Sequence, residues 1–239
     1  MQSAPGWVAP GRRIYAVGDV HGCVDQLDAL HGLIVADLAE YAIGAALLVY
    51  LGDFIDRGPD SAGVIARLAS LSPLPGVPMV ALRGNHEQMM LDAMTGDRGA
   101  ITHWRANGGD ASLESWGLKA AKRDRDWASD LPPQDYAFLR SLRLIHSVDG
   151  YIFVHAGVRP GVPLAAQKPE DLLWIRKPFL ESRGPLLPDA PGMAFVHGHT
   201  PEPAPVITDN RIGVDTGAVR GGRLTCAVLE GDRVRFLSV

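Results

Sequence analysis

Five short apolar runs in this chain each stop at a cluster of turn-forming, metal-competent residues, and that arrangement limits the fold more than any other feature. Ile14–Val17 runs into Gly18-Asp19-Val20-His21-Gly22, and Leu47–Leu51 runs into Gly52-Asp53-Phe54-Ile55-Asp56-Arg57-Gly58. Met79–Leu82 is followed by Arg83-Gly84-Asn85-His86, Tyr151–Val154 by His155-Ala156-Gly157, and Ala194–Val196 by His197-Gly198-His199. Apolar runs this short, bounded by Gly, Asp and Asn, read as strands rather than helices. Between the early runs the spacing turns helical. Val24 to Leu38 carries apolar residues at 24, 27, 30, 34, 35 and 38, and Ser61 to Leu71 and Glu87 to Met94 follow the same period. Asp60 or Ser61 stands where a cap for the second helix belongs.

Strand, loop and helix repeated in this way predict an α/β layer architecture. After Ile207 only strands follow, at Arg211–Val214, Leu224–Glu230 and Val234–Val239, with Gly231-Asp232 as a hairpin turn between the last two. No linker or composition shift divides the 239 residues, so a single domain over 1–239 is expected, with a variable helical insertion at about 96–135. Within that insertion Lys119, Lys122, Arg123, Asp124, Arg125 and Asp126 mix charge signs and read as a solvated face.

A net charge of −4 argues against a nucleic-acid stripe. The most apolar stretch, Ala42 to Leu51, stops well short of the roughly 20 residues a membrane-spanning helix needs. Met1 to Arg13 lacks the apolar core of a secretory signal, and two cysteines, Cys23 and Cys226, are too few for a disulfide framework. The expectation is a cytoplasmic monomer without membrane or nucleic-acid partners.

The chemistry lies in the five strand-end loops. In open α/β sheets ligands bind beyond the carboxyl ends of the strands, so these loops are placed to converge. Asp19, His21, Asp53, Asp56, Asn85, His86, His155 and His199 together offer carboxylate, imidazole and amide donors without thiolate. That mixture suits divalent Mn, Fe, Zn or Co. The set exceeds what one tetrahedral ion takes, so two ions sharing a carboxylate are expected, the known device for in-line phosphoryl displacement.

Gly18-Asp19-Val20-His21-Gly22, Gly52-Asp53-Phe54-Ile55-Asp56-Arg57-Gly58 and Gly84-Asn85-His86-Glu87 resemble the signature blocks of the PPP family of metallophosphoesterases. His155-Ala156-Gly157 and Gly198-His199-Thr200 are similar to its later histidine blocks. His103-Trp104, Asn107-Gly108-Gly109, Trp174-Ile175-Arg176 and Val214-Asp215-Thr216-Gly217 resemble the bacteriophage lambda-type and bacterial serine/threonine phosphatase branch.

The resemblance implies two β-sheets sandwiched between α-helical layers, the metallo-dependent phosphatase fold. It implies that Asp19, His21 and Asp53 hold one metal, and that Asp53, Asn85, His155 and His199 hold the other. Manganese is the expected ion, with Fe, Zn, Co or Ni as other candidates. Arg57, Asn85 and Arg176 would bind substrate phosphate, His86 would be the general acid and Asp56 its partner, with a water between the metals as nucleophile. The implied activity is a serine/threonine phosphatase acting on phosphoproteins or phosphopeptides. A symmetrical diadenosine tetraphosphatase-like hydrolase shares the same blocks, and a non-catalytic metal-binding module is a third reading. His197 is expected behind the ligands, His31, His103 and His146 in structural roles, and the tryptophans in packing, with Trp174 bordering the cleft. No role for Asp215 follows from the residues.

Overall fold

Two β-sheets stack with helices on their outer faces in a computed structural model that describes residues 1–69, 74–118 and 127–239. The strands are β1 Gln2–Ser3, β2 Arg12–Val17, β3 Ala45–Tyr50, β4 Met79–Ala81, β5 Ile145–Val148, β6 Tyr151–Val154, β7 Ala194–His197, β8 Val206–Ile207, β9 Arg211–Gly213, β10 Thr225–Glu230 and β11 Arg233–Ser238. One sheet has the order β1-β11-β10-β2-β3-β4, the other β5-β6-β7-β9-β8. β2, β3 and β4 run parallel, and the crossovers between them carry helices α1 (Val24–Glu40) and α2 (Ser61–Ala69). Helix α3 (Asn85–Ala93) follows β4 directly.

The period-2 geometry of a strand explains the layering. In β2, Ile14 and Ala16 face the core between the sheets, whereas Tyr15 and Val17 join Leu27, Leu30 and Ile34 of α1 in the outer core. In β3, Val49 faces inward and Leu48 and Tyr50 face the helices. In the second sheet Tyr151 and Phe153 point inward, while Ile152 and Val154 pack on Leu172 and Phe179. Strands buried on both faces read as continuous apolar runs, which is how they appear in the sequence.

All eight expected strands are present, and Asp60 caps α2 by accepting the Gly63 amide at 2.7 Å. The 231–232 hairpin also forms, with Glu230 opposite Arg233. Three strands were not anticipated: β1, β5 and β8. A signal for β5 was available, because Asp149-Gly150 is a two-residue hairpin turn, with Asp149 at φ 53°.

The insertion at about 96–135 is largely helical where described, with α4 (Arg98–Trp104), a kinked turn over Arg105–Gly109 in which Gly108 adopts φ 109°, α5 (Asp110–Ser115), α6 (Trp127–Asp130) and α7 (Pro133–Ser141). It is less peripheral than its polarity suggested, because Trp104, Leu113 and Trp127 are buried in the outer core. The charged run at 119–126 lies outside the described residues.

Candidate metal centre and cleft

Backbone strain marks the site. Among non-glycine residues, His21, Asp53, Asp56, Arg57 and His199 adopt left-handed φ values of 45°, 52°, 72°, 68° and 64°. Each such conformation costs about 1–3 kcal/mol and persists only where its surroundings enforce it. The enforcement is visible here. The Asp53 carbonyl accepts the amides of Val20 (3.0 Å) and His21 (2.8 Å). The buried Glu87 carboxylate accepts four amides, from Asp53 (2.9 Å) and Gly84 (2.8 Å) on one oxygen and from Phe54 (2.7 Å) and Ile55 (3.3 Å) on the other. Glycine is required where the loops touch, because a Cβ on Gly84 would stand 2.1 Å from Asp53 Oδ1, and one on Gly198 2.1 Å from Asp19 Oδ1.

Two groups of buried donors share Asp53: His21, Asp53 and His86, and Asp53, His155 and His199. Asp53 Oδ2 is 3.5 Å from His21 Nε2 and 3.4 Å from His155 Nε2. Asn85 joins the second group, its Oδ1 being 3.0 Å from His155 Nε2 and 2.9 Å from His199 Nδ1. Backbone carbonyls orient two of the rings. His21 Nδ1 donates to Ile55 O (2.8 Å) and His155 Nδ1 to Leu51 O (2.9 Å), turning each Nε2 inward.

Asp19 is buried beside these donors but belongs to neither three-residue group. Its carboxylate accepts the His199 amide at 3.1 and 3.2 Å, next to the close approach of Gly198. The third member of the His21 group is instead His86, which the sequence had suggested as an acid.

The electrostatics are those of a buried cation site. Burial and the Asp215 and Asp53 charges hold Asp19 well above the usual carboxylate range. Burial likewise raises Asp215, with Asp53 contributing. Burial opposes charge on His155, but Asp53 and Asp19 outweigh it and push the imidazole up to about 10. The same carboxylate–imidazole attraction holds Asp53 well below its ordinary range against its own burial. Burial keeps His21 down at about 3 and His199 at about 2, so both are neutral, as ligands must be. His86 Nε2 and His199 Nε2 are buried without a hydrogen-bond partner among the described residues. Crowded carboxylates, the neutral His21 and His199 imidazoles and the unpartnered His199 nitrogen fit divalent ions.

A cleft of about 170 Å³ opens over this centre. Its walls include His86, Asn85, Arg57 and Arg176, together with Trp174. His86 Nδ1 lies 2.6 Å from Asp56 Oδ2, and both residues are buried. Arg57 Nη1 donates to His21 Nε2 at 2.9 Å. His197 stays outside both donor groups, its Nδ1 3.0 Å from Gly198 O and its ring centred 5.0 Å from that of Phe179. Burial lowers it to about 4.

Several contributors carry no role that is legible in the sequence. Asp215, Asn107 and Arg220 line the cleft, and Glu87 secures the Asp53 loop. Trp104, read as packing only, donates from Nε1 to both Asp56 oxygens. For Glu87 a signal existed in its place after Asn85-His86. Trp104 and Ser112 meet Asp56 only through tertiary packing.

Residues 12–234 match the family profile of calcineurin-like phosphoesterases. The chain belongs to the calcineurin-like metallophosphoesterases, and its donors fit a dimetal centre. It is 34% identical to serine/threonine-protein phosphatase 1 of Salmonella typhimurium, the alignment covering 92% of this chain and 93% of that protein. It is 32% identical to a symmetrical bis(5'-nucleosyl)-tetraphosphatase of Methylococcus capsulatus, over 62% of this chain and 44% of that protein. A crystal structure provisionally described as a diadenosine tetraphosphatase shares the fold, with a TM-score of 0.65 at 23% identity, covering 97% of this chain and 96% of that one. No helix among the described residues is long and apolar enough to cross a membrane.

Proposed function

We propose that this chain is a dimetal phosphomonoesterase that dephosphorylates phosphoserine and phosphothreonine in proteins. The observation carrying the reading is the pair of donor groups sharing Asp53 beneath a cleft lined by His86, Arg57 and Arg176. The likeness to a serine/threonine phosphatase over nearly the full length of both chains supports the substrate class.

In this proposal Asp19, His21 and Asp53 hold one ion, and Asp53, Asn85, His155 and His199 hold the other. Two dications there would supply charge to activate a water and to neutralise phosphate. Arg57 and Arg176 bind the non-bridging phosphate oxygens with planar, permanently charged forks, and Asn85 adds an amide donor. Because charge spreads over those oxygens as the P–O bond breaks, the arginines stabilise the transition state. The seryl oxygen leaves poorly as an alkoxide, so His86 delivers a proton from Nε2, the atom without a protein partner. Such a positioned acid contributes on the order of 10²–10⁴-fold. Asp56 holds the other ring nitrogen and sets its orientation.

The proposal also takes the chain as one domain, since its donors come from loops of both sheets and separating them would take the site apart. Manganese as resident ion, a monomeric state and a cytoplasmic location complete it. Metal analysis, native mass and cell fractionation test those three. A second reading, hydrolysis of diadenosine tetraphosphate, is favoured by the tetraphosphatase likeness. Turnover of the Mn²⁺-loaded protein on phosphoserine, phosphothreonine and phosphotyrosine peptides and on diadenosine tetraphosphate separates the readings. Preference for the first two supports the phosphatase, and preference for the dinucleotide overturns it. Replacing His86 by Asn should retain both metals and lose far more turnover on a phosphoserine peptide than on p-nitrophenyl phosphate.

A further inference from the structure

The Asp56 carboxylate has more partners than its link to His86 requires. Oδ2 accepts from His86 Nδ1 (2.6 Å) and Trp104 Nε1 (2.9 Å), while Oδ1 accepts from Ser112 Oγ (2.6 Å) and from the same indole (3.1 Å). Ser112 Oγ also accepts the Asp56 amide at 2.8 Å, and Ser61 Oγ accepts it at 3.0 Å. Asp56, Trp104 and Ser112 are each 0% exposed. One hydrogen bond to a carboxylate leaves its plane free to turn about the terminal torsion, which is broad for such groups. An indole N–H spanning both oxygens, with a hydroxyl on the far oxygen, removes that freedom and with it the freedom of the imidazole.

Trp104 is itself immobilised. Its ring centre lies 4.9 Å from that of Trp127, and a Cβ on Gly109 would stand 2.5 Å from the indole. The kink that follows Trp104, where Gly108 turns to φ 109°, reaches the next residue of the same loop, for Gly108 O accepts the Arg57 amide at 3.2 Å. The segment from 104 to 112 thus reaches the partner of His86 through Trp104 and Ser112, and the backbone of Arg57 through Gly108.

We infer that Trp104 and Ser112 are positioning residues for proton delivery. They lock the Asp56 carboxylate in the plane that aims His86 Nε2 into the cleft, and they act on turnover only through His86. The inference rests on the acid role proposed for His86 and goes beyond it, because it assigns part of that step to the helical insertion.

The test uses Trp104→Phe and Ser112→Ala, each alone and combined with His86→Asn, in the full Mn²⁺-loaded chain. Turnover is measured on a phosphoserine peptide and on p-nitrophenyl phosphate, whose leaving group needs no proton, with metal content determined alongside. Each single variant should lose roughly 10- to 100-fold on the peptide, a part of the full acid contribution. The loss on the aryl substrate should be much smaller, and two ions should stay bound. In the His86→Asn background neither substitution should cost anything further, because residues acting through one group are not additive.

Equal losses on the two substrates, or losses that persist undiminished without His86, would show a merely structural role and overturn the inference. Should His86→Asn itself show no leaving-group split, the acid role fails, and the inference with it. A normal split for His86→Asn with none for the other two overturns only the inference. Ser112→Ala deletes a single oxygen and keeps the test decisive if Trp104→Phe fails to fold.

Discussion

Replacing Glu87 by Gln probes how the strained Asp53 loop is held. Both carboxylate oxygens are in use, each accepting two amides, and the side chain is 0% exposed. A glutamine keeps one acceptor oxygen and turns an NH₂ group toward the other pair of amides. Whichever way the amide turns, two buried N–H groups lose their acceptor and face a donor. A hydrogen bond to a charged group contributes about 1.5–3 kcal/mol, and two of them give about 3–6 kcal/mol. For a chain of this size that loss, taken by itself, corresponds to a melting point lower by about 6 °C or more.

Relief of repulsion works against this loss. Burial and the Asp53 charge push Glu87 up to about 7, and glutamine carries no charge to be repelled. The folded pKa lies above the unfolded one, so the wild-type contribution is complete below about pH 4.5 and is lost as pH rises through about 7. The gap between wild type and Glu87→Gln in metal-free protein should therefore be about 1 kcal/mol wider at pH 6 than at pH 8. Calorimetry of both proteins at the two pH values is the assay. A variant melting within 2 °C of wild type at both, a margin set by the roughly 2–4 °C expected per kcal/mol, would refute the account of the loop.

Three further outcomes are expected. His155 carries a proton at pH 7 in the metal-free protein because it is held up to about 10, and Nε2 must release that proton to bind an ion. Metal uptake should thus release protons and tighten as pH rises, which titration calorimetry in buffers of different ionisation enthalpy detects; uptake without proton release contradicts it. Gly198→Ala would place a methyl group 2.1 Å from Asp19 Oδ1, so metal content after desalting should drop while the far-UV spectrum stays native. Retention of two ions at wild-type affinity would count against that contact. Asp37 accepts from Arg13 (3.2 Å), the Tyr15 hydroxyl (2.6 Å) and Arg235, at the end of the sheet opposite the cleft. Asp37→Asn should cost about 3 kcal/mol in denaturant unfolding, as expected for a broken buried ion pair, with metal content unchanged. A loss of metal would show that the two ends of the sheet are coupled.

The strand-end blocks were legible because short-range chemistry writes them. A buried strand must be apolar, its exit must turn, and a ligand-bearing turn needs Gly beside Asp, Asn or His. Hence eight strands, three helices and the residues now around the cleft could be read in advance. β1 and β8, two residues each, have no pattern of their own and exist only as partners of β11 and β9. Polarity misled in the insertion, where Trp104 and Trp127 are core despite charged neighbours. The sequence could also list donors without partitioning them. His86 stands within reach of His21 and Asp53, and Asp19 turns to the His199 amide, through distances that join loops far apart in the chain.

Taken alone, the sequence determined the α/β layering, the loops that carry the chemistry and the donor types, since hydrophobic period and turn preference act over a few residues. Tertiary structure decided which atoms meet. The Asp56 carboxylate is pinned by an indole 48 residues away and a hydroxyl 56 residues away, and Glu87 ties down amides more than 30 residues upstream. Such contacts leave no periodic trace, because they depend on how helices and loops pack above the sheet rather than on spacing along the chain.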